Sequence, residues 1–273
     1  MADSSINLSA PTRTNLLALQ NTTDLIGRTQ KRLSTGLKVN SAIDDAIAFF
    51  QARSLTDRAG DLSVLKGSID QSISSVETAS DGIQAISDIV EQMKGIALSS
   101  KSDANVQNRS KAAIQFNDLR SQLDNLANDA SYKGTNLIKG SPANLKVTFS
   151  EDGSSTLTIS GVSSDSSGLA LTAAANNWNV DGNIDTAINK LDSALSTLRS
   201  TASTMGSNAS VLSLRLDFTK NLINSLEEGS AKLVNADLNS ESANLLTLQT
   251  RQQLGTIGLS IAQQSEQSIL RLF

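Results

Sequence analysis

Asp44 and Asp45 form a carboxylate pair, and general acid and base catalysis often uses two such groups. The same spacing has a plainer reading. Ser41 stands three residues before Asp44 and offers an N-cap, which would place both acids in a first helical turn, where the helix dipole favours negative charge. The helix-start reading is the stronger, because the chain has no histidine and no cysteine to complete a site. An imidazole base, a thiolate nucleophile, a disulfide and the usual zinc ligand sets are thereby excluded. Asp103-Ala-Asn105 is too short for an EF-hand loop and lacks the glutamate at the required spacing, and no glycine-rich phosphate loop is present. The expectation is a protein with no catalytic residues, no metal and no cofactor.

Two polar groupings carry weaker signals. Arg28, Lys31, Arg32 and Lys38 make a basic cluster, which reads as a solvated helix face or as a contact for an acidic partner. Gln249, Gln252, Gln253, Gln263, Gln264 and Gln267 crowd the C-terminal region, either as exposed surface or lining a wet interface. The net charge of −4 over 273 residues offers no basic footprint for nucleic acid. No stretch approaches the roughly 18 apolar residues of a membrane span. The opening MADSSINLSA has neither the positive n-region nor the apolar h-region of a secretory signal.

The elements that must position these residues are helical. From Ile184 to Leu226 the residues Ile184, Ile188, Leu191, Leu195, Leu198, Ala202, Met205, Ala209, Leu212, Leu216, Thr219, Ile223 and Leu226 alternate steps of four and three, a coiled-coil seam. At roughly 1.5 Å per residue this predicts a helix about 65 Å long. A second seam runs through Ile69, Ile73, Val76, Ile83, Ile86, Val90, Met93 and Ala97, with Ser80 at a missed position. The polar segment Ser99 to Asn108 reads as a turn, and Phe116, Leu119, Leu123, Leu126 and Ala130 as a returning stripe, together an antiparallel helical hairpin.

Leu16, Leu19, Ile26, Leu33 and Leu37 form an N-terminal stripe that Thr35-Gly36 should end, and Leu238, Leu245, Leu248, Leu254, Ile257, Ile261, Ile269 and Leu272 form a C-terminal one. Neither terminal helix can bury its stripe alone, so each needs a partner: the other terminus, a second subunit, or both. Met1 to Thr14 is polar and lacks a stripe, as in a disordered segment. Between the helical halves, Leu145 to Phe149 and Thr156 to Ser160 flank Glu151-Asp-Gly153, which predicts a β-hairpin. Ser163 to Gly168 reads as a surface loop whose Ser163, Ser164, Ser166 and Ser167 could carry O-linked sugar, and Trp178 should pack on the hairpin or on the long helices. The fold class is mainly α, a long antiparallel helical coiled-coil rod with one small β-hairpin.

The run KRLSTGLKVNSAIDDA from Lys31 to Ala46 resembles the N-terminal signature of bacterial flagellins, RLSSG followed by a short linker and NSA-x-DDA. Its family-signature residues here are Arg32, Leu33, Gly36, Asn40, Ser41, Asp44 and Asp45. Asp81-Gly-Ile83 and the stretch Tyr132-Lys-Gly-Thr-Asn-Leu137 are also similar to the family, as is a C-terminal helix ending in a leucine-containing tail. The resemblance covers residues 1–139 and 184–273 and points to a short form lacking large outer domains.

It implies that residues 1–40 and 238–273 pair as an inner coiled coil, that 41–139 and 184–237 form the helical rod, and that 140–183 form the hairpin and a surface loop. The subunit interface would comprise Leu16, Leu19, Ile26, Leu33, Leu37, Leu254, Ile257, Ile261, Ile269 and Leu272. The implied function is that of a structural subunit polymerising into the flagellar filament for swimming motility. Implied partners are further copies of the chain, the flagellar type III export apparatus, an export chaperone, the filament cap and the hook-filament junction proteins. The implied location is extracellular, reached without a cleaved signal peptide. The family stretch recognised by the vertebrate innate receptor usually has arginine and glutamate at positions matching Gln92 and Gln115, so both charges are missing here. Two other readings share the heptads: a hook-filament junction protein and a cytosolic coiled-coil adaptor. A helical hydrolase is the weakest alternative, for want of a base.

Overall fold

The computed structural model describes residues 10–270. Within them lie five α-helices and one two-stranded sheet: α1 (Ala10–Thr35), α2 (Ala46–Ser102), α3 (Val106–Asp129), β1 (Leu145–Thr148), β2 (Thr156–Ile159), α4 (Asp181–Val234) and α5 (Leu238–Leu270), with a 3₁₀ turn at Ala175–Trp178 before α4. The chain falls into two compact units, one formed by residues up to Asp57 and from Leu226 onward, the other by Arg58–Ser225. We call them the terminal and the middle unit.

In the middle unit both predicted seams are the core. Ile69, Val76, Ile83, Ile86, Val90, Met93 and Ala97 of α2 meet Ile184, Leu191, Leu195, Leu198, Met205 and Leu212 of α4 in one buried cluster. The ion pairs Lys94 to Asp192 and Lys101 to Asp185 fix these helix segments as antiparallel. The seam works because steps of three and four average 3.5 residues, close to the 3.6-residue turn, so one face stays turned to its partner. Thr219, the single polar position in the α4 seam, is buried and donates its hydroxyl to its own helix at the Arg215 carbonyl, 2.8 Å. Helix α3 returns along the same cluster through Phe116, Leu123 and Ala127. The turn before it is shorter than the polar composition of 99–108 suggests: α2 runs to Ser102 and α3 starts at Val106. Three residues suffice because the Asn105 side chain accepts the Gln107 amide as N-cap, 2.9 Å.

The Tyr132 to Leu137 stretch closes the C-terminus of α3. Lys133 and Gly134 both take positive φ, and Tyr132 and Thr135 bond across the turn. Buried Asn136 then donates to the carbonyls of Ala127 and Asn128 at 2.8 and 3.0 Å and accepts the amides of Ile138 and Lys139, each at 2.9 Å. One side chain thus serves orphaned helix carbonyls and the following loop together. Ile138 lands over Gly82, where an added Cβ would sit 2.7 Å from its Cδ1 and 2.9 Å from the Ala130 Cβ. The glycine of the Asp81-Gly-Ile83 motif is there for close approach.

The hairpin forms in the expected place, each strand one residue shorter, with Leu145 opposite Ile159 and Thr148 opposite Thr156. Val147 and Ile159 face the core. Asp152 in its turn is held down to about 2, chiefly by the Ser150 hydroxyl and then by the Ser154 amide. Trp178 is fully buried against Phe116 of α3, ring centroids 4.9 Å apart, in the cluster that also holds the hairpin residues Val147 and Ile159. The Ser163 to Gly168 segment is a loop that faces solvent only in part, at Ser167 and Gly168. Ser164 and Ser166 are buried, and Ser166 donates its amide and hydroxyl to Asp124 at 2.7 and 2.9 Å. Burial removes both from the candidates for O-linked sugar.

Candidate assembly site

The terminal unit holds the signature residues, and most have a defined task. Helix α1 stops at Gly36, whose φ of +72° is the left-handed conformation that closes a helix, with its amide donating to the Arg32 carbonyl at 2.8 Å. The strip that follows clasps the end of α4: the amides of Lys38 and Val39 reach the Val234 carbonyl, and the Ala236 amide returns to the Gly36 carbonyl at 2.9 Å. Leu37, expected on the α1 stripe, stands beyond the helix, in an isolated antiparallel bridge to Asn235. Its side chain is half-buried there.

Asp44 does not sit in the first turn of α2, and Ser41 is not its cap. The Asp44 carboxylate closes the preceding turn, accepting the amides of Asn40 and Ser41 at 3.1 and 3.0 Å and the Ser41 hydroxyl at 3.1 Å. The Asn40 amide is the main cause of its lowered pKa, with the Ser41 hydroxyl next and the Lys31 charge contributing. The cap is Asp45, whose side chain accepts the Ala48 amide at 3.0 Å while its carbonyl receives Phe49. Sequence placed the cap four residues early because both Ser41 and Asp45 are good caps and their neighbours decide between them. The pair is structural, one carboxylate per turn. Across the clasp, Asp237 caps α5 in the same way, accepting the amides of Asn239 and Ser240.

Arg32 of the basic cluster has an acidic partner inside the chain. Its guanidinium donates to Glu241, a buried residue in the first turn of α5, at 2.9 Å. Lys38 donates to the Lys232 carbonyl. Arg28 and Lys31 are exposed.

From this junction α1 and α5 run antiparallel, as Arg32 with Glu241, Thr23 with Gln252 and Leu19 with Gly255 show. Leu16, Leu19 and Leu33 are half-buried and Ile26 is buried at 9 % exposure. On α5, beyond buried Glu241, Leu245, Leu248, Gln252, Gly255, Leu259 and Ala262 are covered and follow steps of 3, 4, 3, 4 and 3, with Gly258 half-covered beside them. A Cβ at Gly255 would stand 3.1 Å from the Leu19 Cδ1, so the glycine brings the helices close. The C-terminal stripe read from sequence therefore splits in two. Leu245 and Leu248 are covered, whereas Leu254, Ile257 and Ile261 are 64, 56 and 59 % exposed, in company with Leu246. Pattern reading missed most of the covered face because Gln252 and Gly255 give no apolar signal; heptad counting forward from Leu245 could have found it. Of the glutamines, Gln252 is half-buried and reaches Thr23, while Gln249, Gln253, Gln263, Gln264 and Gln267 are exposed.

Leu272 lies outside the described residues, as do Met1 to Ser9 of the expected disordered segment, whereas Ala10 to Thr14 already belong to α1. Ile269 falls within α5. Gln92 and Gln115 are exposed in the middle unit along a surface cleft between α2 and α3. Among the described residues no group of acidic side chains is arranged to hold a metal ion, and no helix is long and apolar enough to cross a membrane. What the terminal unit offers is an apolar strip of α5 that α1 leaves exposed, with Leu254 at the edge of the groove between the two helices.

Residues 6–143 match the bacterial flagellin N-terminal helical region and residues 184–273 the bacterial flagellin C-terminal helical region. The chain is 34 % identical to flagellin FljM of Caulobacter vibrioides, with all of both chains covered. It is 31 % identical to a flagellin of Brucella melitensis over 98 % of this chain and 99 % of that one. Among solved structures, a putative flagellar hook-associated protein from Vibrio parahaemolyticus shares the fold with a TM-score of 0.59 at 15 % identity, over 70 % of this chain and all of the other.

Proposed function

This chain belongs to the bacterial flagellin family, and from that premise we propose that its terminal helix pair is the inner assembly element of the polymer. The protein is a structural subunit of the flagellar filament, a short form without large outer domains. Full-length likeness to flagellins disfavours the junction-protein and adaptor readings. The family is structural, and the reading assigns no catalysis to this chain.

On this reading the stretches 1–40 and 238–273 pair as the inner coiled coil, 41–139 and 184–237 form the helical rod, and 140–183 form the hairpin and a loop, the outermost residues of both termini lying outside the described structure. One observation carries the proposal: α5 covers one face on α1 and leaves Leu254, Ile257 and Ile261 more than half exposed on another. Exposed contiguous apolar surface in a soluble protein marks an interaction site, and a polymerising subunit supplies its own partner. Leu16, Leu19, Ile26 and Leu33 of α1, with Leu37 just beyond its end, complete the proposed interface. Export through the flagellar type III apparatus without cleavage, a chaperone holding the terminal helices before export, and growth beneath a cap on the junction proteins complete the reading. The family resemblance supports these partners, and the half-covered helices are what a chaperone would need to shield.

The test is seeded assembly followed by electron microscopy and sedimentation. Ile257→Asp should leave the thermal unfolding of the monomer in place and prevent filament growth. Filaments of normal length from that variant sink the proposal. Amide exchange supplies a second reading: residues 10–35 and 240–270 should exchange quickly in the monomer and slowly in the polymer.

A further inference from the structure

The buried hydroxyls on α2 and α4 do not all behave alike. Ser72, Ser75, Thr201 and Thr219 each donate to the carbonyl four residues back on their own helix. Such bonds satisfy the hydroxyl and say nothing about the neighbouring helix. Ser230 of α4, in the terminal unit, is also buried, at 8 % exposure, yet its hydroxyl crosses to α2. It lies 3.1 Å from the Ala52 carbonyl and 3.0 Å from the Thr56 hydroxyl, which itself donates to that carbonyl at 3.0 Å. Proton supply is consistent: Thr56 gives its proton to Ala52, and Ser230 gives its own to Ala52 or to Thr56. Beside it Gly229 lets Leu55 approach, its Cδ1 3.4 Å from where a Cβ would be.

We infer that the Ser230 hydroxyl is a register pin, fixing the axial position of α4 against α2 in the terminal unit. Apolar seams tolerate small axial shifts because their contacts are non-directional, whereas a buried polar group has one satisfied position, as a single polar seam residue does in coiled coils. The pin stands four residues before Val234, whose carbonyl receives the amides of Lys38 and Val39. A displaced α4 end would carry that carbonyl away from both donors. Ser230 is therefore a positioning residue for the clasp that leads α1 out and α5 in. The inference concerns a single chain and stands apart from the assembly reading.

The absence of cysteine gives a clean background for spin labels. Gln51→Cys on α2 and Glu227→Cys on α4, both at exposed positions of the terminal unit, carry nitroxides, and pulsed dipolar spectroscopy reads their separation in the full chain. The parent should give one narrow distance distribution. Ser230→Ala and Thr56→Val should each broaden it or move it by at least about 1.5 Å, the rise of one helical residue. Ser75→Ala removes a buried hydroxyl bonded within its own helix and should leave the distribution unchanged. An unaltered distribution in both Ser230→Ala and Thr56→Val, or an equal broadening in Ser75→Ala, overturns the pin. Where Ser230→Ala loses its helical circular dichroism, Thr56→Val decides alone, since valine keeps the volume of threonine and removes only the hydroxyl.

Discussion

The middle and terminal units are built from the same kind of helix, yet one is finished within the chain and the other is not. In the middle unit, the seams of α2 and α4 put Ile69, Ile86, Val90, Leu191, Leu198 and Met205 wholly out of solvent. In the terminal unit, α1 and α5 cover a narrow strip on each other, and Leu17, Leu246, Leu254, Ile257 and Ile261 stay more than half exposed. Three long helix segments plus a hairpin enclose a core, whereas two helices side by side leave most of each cylinder in water. A complete core makes a unit stable alone. A half-covered pair leaves apolar surface which, on the proposed reading, other copies of the chain would cover.

The comparison breaks most visibly at Leu191. Leu191→Ala removes a fully buried seam residue and should cost about 2–5 kcal/mol of monomer stability. Urea unfolding, followed by the fluorescence of Trp178, the one tryptophan in the chain and a core residue of the same unit, measures it. A loss below 1 kcal/mol would show that the middle core is loosely packed and the contrast false.

Ile257→Asp tests the other side. Monomer stability should change by less than about 0.5 kcal/mol, as for a surface position. The critical concentration for polymerisation should rise at least about tenfold, equivalent to about 1.4 kcal/mol per subunit. A monomer destabilised as strongly as by Leu191→Ala would mean that α5 already buries this face within the chain.

Asp45→Ala removes the α2 N-cap and should cost about 1 kcal/mol, seen as faster amide exchange at Ala48 with the middle unit unaffected. Exchange that quickens equally through both units would deny their independence.

The smallest effect is the pH dependence of the Asn40 to Asp44 turn. The Asp44 pKa is lowered in the folded chain, so the turn is fully supported above the unfolded carboxylate value near 3.9 and weakens as pH falls through the lower folded value. Protection of the Asn40 and Ser41 amides should be flat from pH 7 to 5 and fall below about pH 4. In Asp44→Ala that pH dependence should vanish.

Much of the middle unit was legible because its information is periodic and local. Every position of the Ile184 to Leu226 seam is buried or half-buried, and the hairpin sits where alternation and Gly153 predict it. The roles of single polar residues were not. Asn136, which bridges α3 to the following loop, shows nothing distinctive beyond its place in a motif, and the choice between Ser41 and Asp45 as cap depends on where Asp44 points. Ser164 and Ser166 look like solvent-facing serines until Asp124 and Ile138 are brought to them.

By itself the sequence determined the helices, the absence of imidazole and thiol chemistry, and the family, because heptad spacing, composition and signature order are properties of the chain alone. Tertiary structure decided which faces were closed. Leu245, Leu248, Gln252 and Gly255 became the covered side of α5, Gly255 because the missing side chain lets Leu19 of α1 come close, and Leu254, Ile257 and Ile261 became the open side because one face of a helix cannot touch two directions at once.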